Sequence, residues 1–146
     1  MRLALAADRE AVEGIVRSAY TPYVARMGRA PGPMLDDYGA LIAAERVHVI
    51  ERDGVVRGVL VLIAEAGTML LDNVAVDPAA QGGGLGRRML AFAEEAARAA
   101  GFGSIRLYTN EAMTENVRLY ARLGWVETHR GEEDGFRRVY FSKRLV

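Results

Sequence analysis

The chain has 146 residues, 51% of them apolar and 26% charged, a balance that suits one globular domain able to bury roughly two-thirds of its unfolded surface. Nineteen basic and nineteen acidic side chains cancel, which argues against a general polyanion-binding surface and against nucleic acid as a main partner. Cysteine is absent, excluding disulfides, a cysteine nucleophile and thiolate zinc sites, and no apolar run has signal-peptide or membrane-spanning length, so a cytoplasmic protein with no membrane partner is expected.

Arg2 to Leu5 reads as a short first strand. Asp8 stands as an N-cap for a helix with Val12, Ile15, Val16 and Ala19 on one face. From Tyr20 to Tyr38 the prolines Pro22, Pro31 and Pro33, with Gly28, Gly32 and the following Gly39, predict irregular chain. Tyr20, Tyr23, Met27, Met34 and Tyr38 are nevertheless larger and more apolar than a solvated linker carries. Asp36-Asp37 reads either as a cap for a short helix over Tyr38 to Ala44 or as a carboxylate pair that attracts a cationic amine.

Val47 to Arg52 and Val55 to Glu65, joined by Asp53-Gly54, predict a hairpin with a type I′ turn. Val59 to Ile63 is continuously apolar, as a central strand covered on both faces should be. The next strand, Leu70 to Val76, must stop at Asp77-Pro78, because proline donates no ladder bond and holds its predecessor extended. A helix follows over Leu85 to Ala100, with Leu85, Met89, Ala93, Ala96 and Ala100 at helical spacing and Gly101 just beyond. The strand Ser104 to Thr109 completes a strand–helix–strand crossover, which requires parallel neighbours and a right-handed path. Thr114 to Leu123 predicts a short helix with Thr114 as N-cap and Gly124 after it. Trp125 to Arg130 and Phe136 to Lys143 read as a closing strand pair around a Gly131 to Gly135 turn. The expected class is α+β with a mixed sheet, in a single domain over residues 1–146. The closing pair also offers an edge for a homodimer.

Between the Leu70–Val76 strand and the following helix lies Gln81-Gly82-Gly83-Gly84-Leu85-Gly86. Glycines here allow backbone N–H groups to point into one space, and the helix start adds unpaired donors and the positive end of its dipole. Such a loop holds phosphate or pyrophosphate without a lysine. It is not a P-loop, since Arg87-Arg88 replaces Lys-[Ser/Thr]; it is not a dinucleotide fingerprint, since Met89 replaces the third glycine. The pattern Gln81-x-x-Gly84-x-Gly86 after a strand ending Val-Asp-Pro resembles the acetyl-CoA pyrophosphate loop of the Gcn5-related N-acetyltransferase (GNAT) family. A second signature agrees in order along the chain: Leu119-Tyr120-x-x-x-Gly124-Trp125, where the family usually has phenylalanine in place of Trp125.

The resemblance implies a central mixed sheet of about six to seven strands flanked by about four helices, and acetyl-CoA as cofactor. It implies that Gln81, Gly82, Gly84, Leu85, Gly86 and Arg87 surround the pyrophosphate. Arg87 or Arg88 is an alternative partner for the 3′-phosphate. Main-chain atoms of Val74 and Val76 are expected to pair with pantetheine, and Asn116 to contact the same arm, with Asn110 competing. Tyr23, Arg26, Met27, Pro33 and Met34 are the implied acceptor contacts. Tyr120 is the implied general acid at the thioester sulfur. A thiol near pKa 8.5 and a tyrosine near 10 make complete proton transfer uphill by about 2 kcal/mol, so the hydroxyl acts by stabilising the developing thiolate.

The general base is less defined. Tyr108 stands twelve residues before Tyr120, where some members carry a glutamate. Asp72 is the first choice for the role, with Asn73 and Glu111 nearby and ordered water as an alternative to any carboxylate. His48 and His129 have no metal-ligand spacing and are expected on strand surfaces, so no metal is assigned. The expected activity is direct acetyl transfer from acetyl-CoA to a primary amine of a small molecule or peptide, with no acetylated enzyme nucleophile. The alternative is a non-catalytic acyl-CoA-binding or sensing module on the same fold.

Overall fold

The computed structural model describes residues 1–145. In chain order the elements are β1 (Arg2–Leu3), α1 (Arg9–Met27), α2 (Tyr38–Ala43), β2 (Val47–Arg52), β3 (Val55–Ala64), β4 (Met69–Val76), α3 (Leu85–Ala99), β5 (Ser104–Asn110), α4 (Thr114–Arg122), β6 (Val126–Glu133) and β7 (Phe136–Arg144). The strands form one seven-stranded sheet in the order β1-β2-β3-β4-β5-β7-β6. Only β4 and β5 pair in parallel, as the α3 crossover requires; the other neighbours are antiparallel.

The sheet separates two apolar layers. Leu60 and Leu62 of β3 face Met89 and Ala93 of α3. Val59 and Val61, between them in sequence, face Val12 and Val16 of α1. The run from Val59 to Leu62 is almost solvent-free, which is why this strand shows no polar alternation. Asp53 and Gly54 close the β2–β3 hairpin with φ of 55° and 76°, as a type I′ turn demands.

Several boundaries differ from the sequence expectation. β1 is shorter, ending at Leu3. Helix α1 does not end before Tyr20; it continues through Pro22 to Met27 and ends at Gly28, whose φ is 73°. Pro22 lies on the exposed face, so the carbonyl that loses its helical partner is turned towards water. Val12, Ile15, Val16 and Tyr20 bury the opposite face, and that packing outweighs the proline. Asp8 makes no side-chain cap bond to α1; its carboxylate instead accepts from the Leu5 N–H (2.7 Å) and pairs with Arg2 (2.7 Å). Asp37, not Asp36, caps α2 by accepting from the Ala40 N–H (3.1 Å). Ala97 takes the buried place on α3, while Ala100 is exposed. Thr114 is the first helical residue of α4 rather than its cap, which is Met113. The closing turn contracts to Asp134-Gly135, with φ of 53° and 79°, so β6 runs on to Glu133 and stands as an exposed edge strand.

Two features of β4 shape everything nearby. Its pairing with β5 covers only Met69–Leu71 against Ile105–Leu107, so β4 parts from β5 beyond Leu71. Opposite β3, Leu62 pairs with Leu71 and Val61 with Asn73, leaving Asp72 as an extra residue in a bulge. The bulge reverses the side-chain alternation: Met69 and Leu71 join the α3 layer before it, Val74 and Val76 after it.

Candidate active site

A cleft opens where β4 leaves β5. The Asp77 N–H bonds to the Arg57 carbonyl on β3 (2.8 Å). Backbone direction alternates along a strand, so Val74 and Val76 turn their N–H and C=O groups to the other side, into the opening. Side chains reach towards these carbonyls: the Tyr20 hydroxyl lies 3.3 Å from the Val74 oxygen, and Gln81 Nε2 lies 3.5 Å from the Val76 oxygen.

Below β4 the chain turns through a short 3-10 segment, Pro78–Ala80, whose start is capped by Asp77 accepting from the Ala79 N–H (3.0 Å). Gly82 and Gly84 then adopt φ of 85° and 80°, values a side chain tolerates poorly. The Arg88 N–H bonds to the Gly84 carbonyl (3.1 Å), so the N–H groups of Leu85, Gly86 and Arg87 precede the helical ladder and are unpaired by it. Nothing crowds Gly82 or Gly84 within 4 Å of where a Cβ would stand, whereas the Arg52 guanidinium lies 2.9 Å from that point on Gly83. Gln81, Gly82, Gly84, Leu85, Gly86 and Arg87 all line one groove of about 640 Å³ that runs past Val74 and Val76 to Tyr120. Arg88 does not line it.

On the other side of the sheet opening lies a smaller cavity of about 120 Å³, the volume of about four waters at roughly 30 Å³ each. It is walled by the end of α1, the α1–α2 connection, the β4 bulge, β5 and β7. Tyr20, Val74, Asn116 and Tyr120 line both spaces, so groove and cavity meet at these four residues.

Tyr120 is 6% exposed and packs its ring against Trp125 and Phe141, with centroids 6.0 and 5.8 Å away. Burial pushes its pKa well above the ordinary tyrosine value, with a smaller contribution from Tyr23. The phenol is therefore held protonated, and among the described residues no group takes its hydrogen bond. Asn116 presents its side chain at the same junction, its only side-chain partner among the described residues being the Met113 sulfur at 3.6 Å. Asn110 is committed to its own turn, accepting from the Ala112 N–H (2.9 Å).

The bulge brings Asp72 and Asn73 together on the cavity wall. Burial raises the pKa of Asp72, opposed by a hydrogen bond from the Tyr108 hydroxyl to Oδ1 (3.1 Å) and by the charge of Arg138. Tyr108 itself is pushed up to about 12 by burial and by Asp72. Asn73 is 2% exposed and bonded at both ends of its amide: Oδ1 accepts from Tyr20 (2.5 Å), and Nδ2 donates to the Tyr38 oxygen (3.0 Å), whose own proton goes to the Pro33 carbonyl. Asp36 borders the same cavity at its solvent side, with a pKa raised to about 6 by desolvation and by Asp72.

Of the residues expected to contact an acceptor, Met27 and Pro33 line the cavity. Tyr23 borders the groove, and its hydroxyl donates to Glu115 (3.1 Å); Arg26 pairs with the same carboxylate (2.7 Å), tying α1 to α4 at the surface. Met34 lines neither space and packs against the α1-side core. Glu111 lies away from the cavity, near Arg130 and Arg137. His129 is exposed and stacked on Tyr140 (4.2 Å between ring centres), while His48 is half-buried against Phe92. Among the described residues no group of three acidic, His or Cys side chains has metal-binding geometry, and no helix is long and apolar enough to cross a membrane.

Sequence reasoning did not find Tyr20, Phe136 or Arg138 as site residues. Arg138 is the most consequential omission. It lies over the Tyr108 ring at 4.2 Å, and the pairing of β5 with β7 through Tyr108–Tyr140 is what brings it there. The alternation Phe136, Arg138, Tyr140 on one face of β7 was the available signal, but it requires the β5–β7 register to be read.

Comparison with known proteins agrees with this geometry. The sequence profile of the Acetyltransferase (GNAT) family matches residues 12–125. A mycothiol acetyltransferase of Streptosporangium roseum is 46% identical over 52 residues, covering 36% of this chain and 15% of that protein. An IAA acetyltransferase of Azospirillum brasilense is 33% identical over 84 residues, covering 56% of this chain and 55% of that one. The chain thus spans only part of the length of either relative. Among solved structures, the PaiA N-acetyltransferase of Thermoplasma acidophilum in complex with coenzyme A superposes with a TM-score of 0.78, at 15% identity and 95% coverage of each chain. With the profile covering most of the sequence, and the glycine loop, parted strands and Tyr120 in one cleft, this chain belongs to the GNAT acetyltransferase family.

Proposed function

We propose that this protein is an acetyl-CoA-dependent N-acetyltransferase that passes the acetyl group directly to a primary amine of a small molecule or peptide. The observation that carries the reading is the meeting of two spaces at Tyr120, one lined by the glycine loop and the free edge of β4, the other by polar and acidic side chains. The residues present fit the cofactor. Unpaired N–H groups at Leu85, Gly86 and Arg87, next to Gly82 and Gly84, suit a pyrophosphate. The unladdered main chain of Val74 and Val76 suits the pantetheine amides, which Asn116 also faces. Gln81 Nε2, now turned towards the Val76 carbonyl, is free to exchange that long contact for a phosphate oxygen.

Bound acetyl-CoA supplies an activated acetyl group whose C–S bond is exchanged for C–N, with CoA leaving as the thiol. The chain's own residues manage the protons. Tyr108 holds Asp72 through Oδ1, leaving Oδ2 open to accept the proton that the amine gives up. Burial makes Asp72 a better base than an exposed aspartate. The Tyr120 hydroxyl, without a protein partner, donates a hydrogen bond to the sulfur that gains charge, and the thiolate takes up its proton from water as it leaves. Tyr23, Arg26, Met27 and Pro33 flank the path by which the acceptor enters.

The test is release of free thiol from acetyl-CoA by the purified protein with and without an amine library. Amine-dependent release is the expected result. Binding of CoA with no release for any amine would instead make the protein a non-catalytic acyl-CoA sensor.

A further inference from the structure

The acceptor cavity carries charges of both signs: the carboxylates of Asp72 and Asp36, and the guanidinium of Arg138. At the β4 bulge, Asp72 stands two residues from Val74, where cavity and groove join. Across the cavity Arg138 projects from β7 with its side chain only 13% exposed. Its guanidinium lies 4.2 Å from the Tyr108 ring centre and 5.7 Å from that of Phe136. A second guanidinium, Arg29, lies 4.1 Å over the same Phe136 ring. Phe136 is 7% exposed and separates the acceptor cavity from an outer one of about 420 Å³, lining both.

These arginines are not consumed by the fold. Nη1 of Arg138 meets Glu133 at 3.1 Å, but that glutamate is 55% exposed and also accepts from the Tyr140 hydroxyl; a guanidinium has five donors, so most remain. Arg29 has no carboxylate within ion-pair distance among the described residues, and donates only to the Asp134 carbonyl at 3.4 Å. A half-desolvated, stacked guanidinium facing a cavity is suited to bidentate capture of a carboxylate. The Tyr108 side chain measures the gap between the poles: its hydroxyl is on Asp72 and its face is under Arg138. Between the poles the wall mixes apolar Met27, Pro33 and Leu107 with polar Thr109, Asn110 and Asn116.

We propose that the acceptor is a free amino acid, its amine beside Asp72 and its carboxylate on Arg138. The inference rests on the acetyl-transfer reading above and narrows its acceptor. An amine and a carboxylate joined through one carbon lie about 2.5 Å apart, and a hydrogen bond of about 2.9 Å at each end lets the pair bridge from Asp72 to Arg138 across the Tyr108 face. A peptide N-terminus has a neutral amide where the carboxylate would be, leaving the remaining donors of Arg138 without an anionic partner.

The experiment measures thiol release with leucine, methionine and phenylalanine, each beside its α-amide and a dipeptide starting with the same residue. The free acids are expected to exceed the amides in kcat/KM by roughly 10- to 100-fold, the value of a charge-assisted bidentate contact. Arg138→Met, which keeps the stacking but not the charge, should bring that ratio to within about threefold, chiefly through KM for the acid. Arg138→Lys, which keeps the charge but not the bidentate fork, should lower the ratio partway and covers the case in which Arg138→Met fails to fold. Amides or dipeptides used as well as the acids would overturn the proposal, as would a ratio unmoved in both variants. If no amine of any kind releases thiol, the transfer reading itself has failed. The melting point of the CoA-saturated protein then decides the acceptor separately: it must rise with the free acid and not with its amide, and equal or absent shifts overturn the proposal.

Discussion

Replacing Tyr120 by phenylalanine isolates one atom of the proposed mechanism. The ring contacts with Trp125 and Phe141 survive the change. Among the described residues the hydroxyl has no protein partner to orphan, so stability should stay within about 0.5 kcal/mol of the parent. What disappears is a hydrogen bond to a sulfur acquiring negative charge in a buried site, worth about 1.5–3 kcal/mol when one partner is ionised. That converts to a fall in kcat of roughly 10- to 150-fold. The interaction strengthens as charge develops, so acetyl-CoA affinity should change by less than about threefold. Thiol-release kinetics and a CoA titration on the same preparation give both numbers. Unchanged turnover would refute the donor role, and equal losses in turnover and affinity would assign Tyr120 to binding instead.

Three further outcomes follow from the same geometry. Gly84→Glu forces a side chain into φ of 80° and sets a carboxylate beside the unpaired N–H groups of α3, so it should abolish the stabilisation by CoA while the protein still folds; retained binding would remove the loop assignment. Asn73→Ala strips partners from the Tyr20 and Tyr38 hydroxyls in the core and should cost about 1–3 kcal/mol in urea unfolding, whereas a cost below about 0.5 would mean the network is slack. Asp36 has a folded pKa raised from 3.8 to about 6, so the folded state binds its proton more tightly and the associated stability is lost as pH rises through that interval. Asp36→Asn should accordingly be more stable than the parent above about pH 6, with the difference closing towards about pH 4; a difference independent of pH would contradict the desolvation of this carboxylate at the cavity mouth.

The part of the site nearest the glycine loop was legible in the sequence because local chemistry dictates it. Pro78 ends β4, positive φ at Gly82 and Gly84 needs glycine, and Leu85, Met89 and Ala93 define one helix face. The acceptor side was less legible because it is assembled from contacts distant in sequence. Pro22 reads as a helix breaker, yet packing of Tyr20 and its neighbours on the sheet carries α1 through it. The bulge at Asp72 leaves no mark in composition, although it sets Asp72 and Asn73 on one wall. Asp36 was open between cap and amine partner; Asp37 does the capping, which leaves Asp36 facing the cavity. Arg138 becomes a site residue only once β7 is known to lie between β5 and β6.

The most direct test of the account is thermal melting of the protein with acetyl-CoA, CoA, ATP and NAD in parallel. At a hundred times its dissociation constant a ligand adds about 2.7 kcal/mol of stability, which for a domain of this size raises the midpoint by roughly 5–10 °C. A shift of that order with acetyl-CoA and CoA, and none with ATP or NAD, is the predicted result. No shift with either thioester or thiol would contradict the assignment of the groove beside β4 and, with it, the acetyltransferase reading.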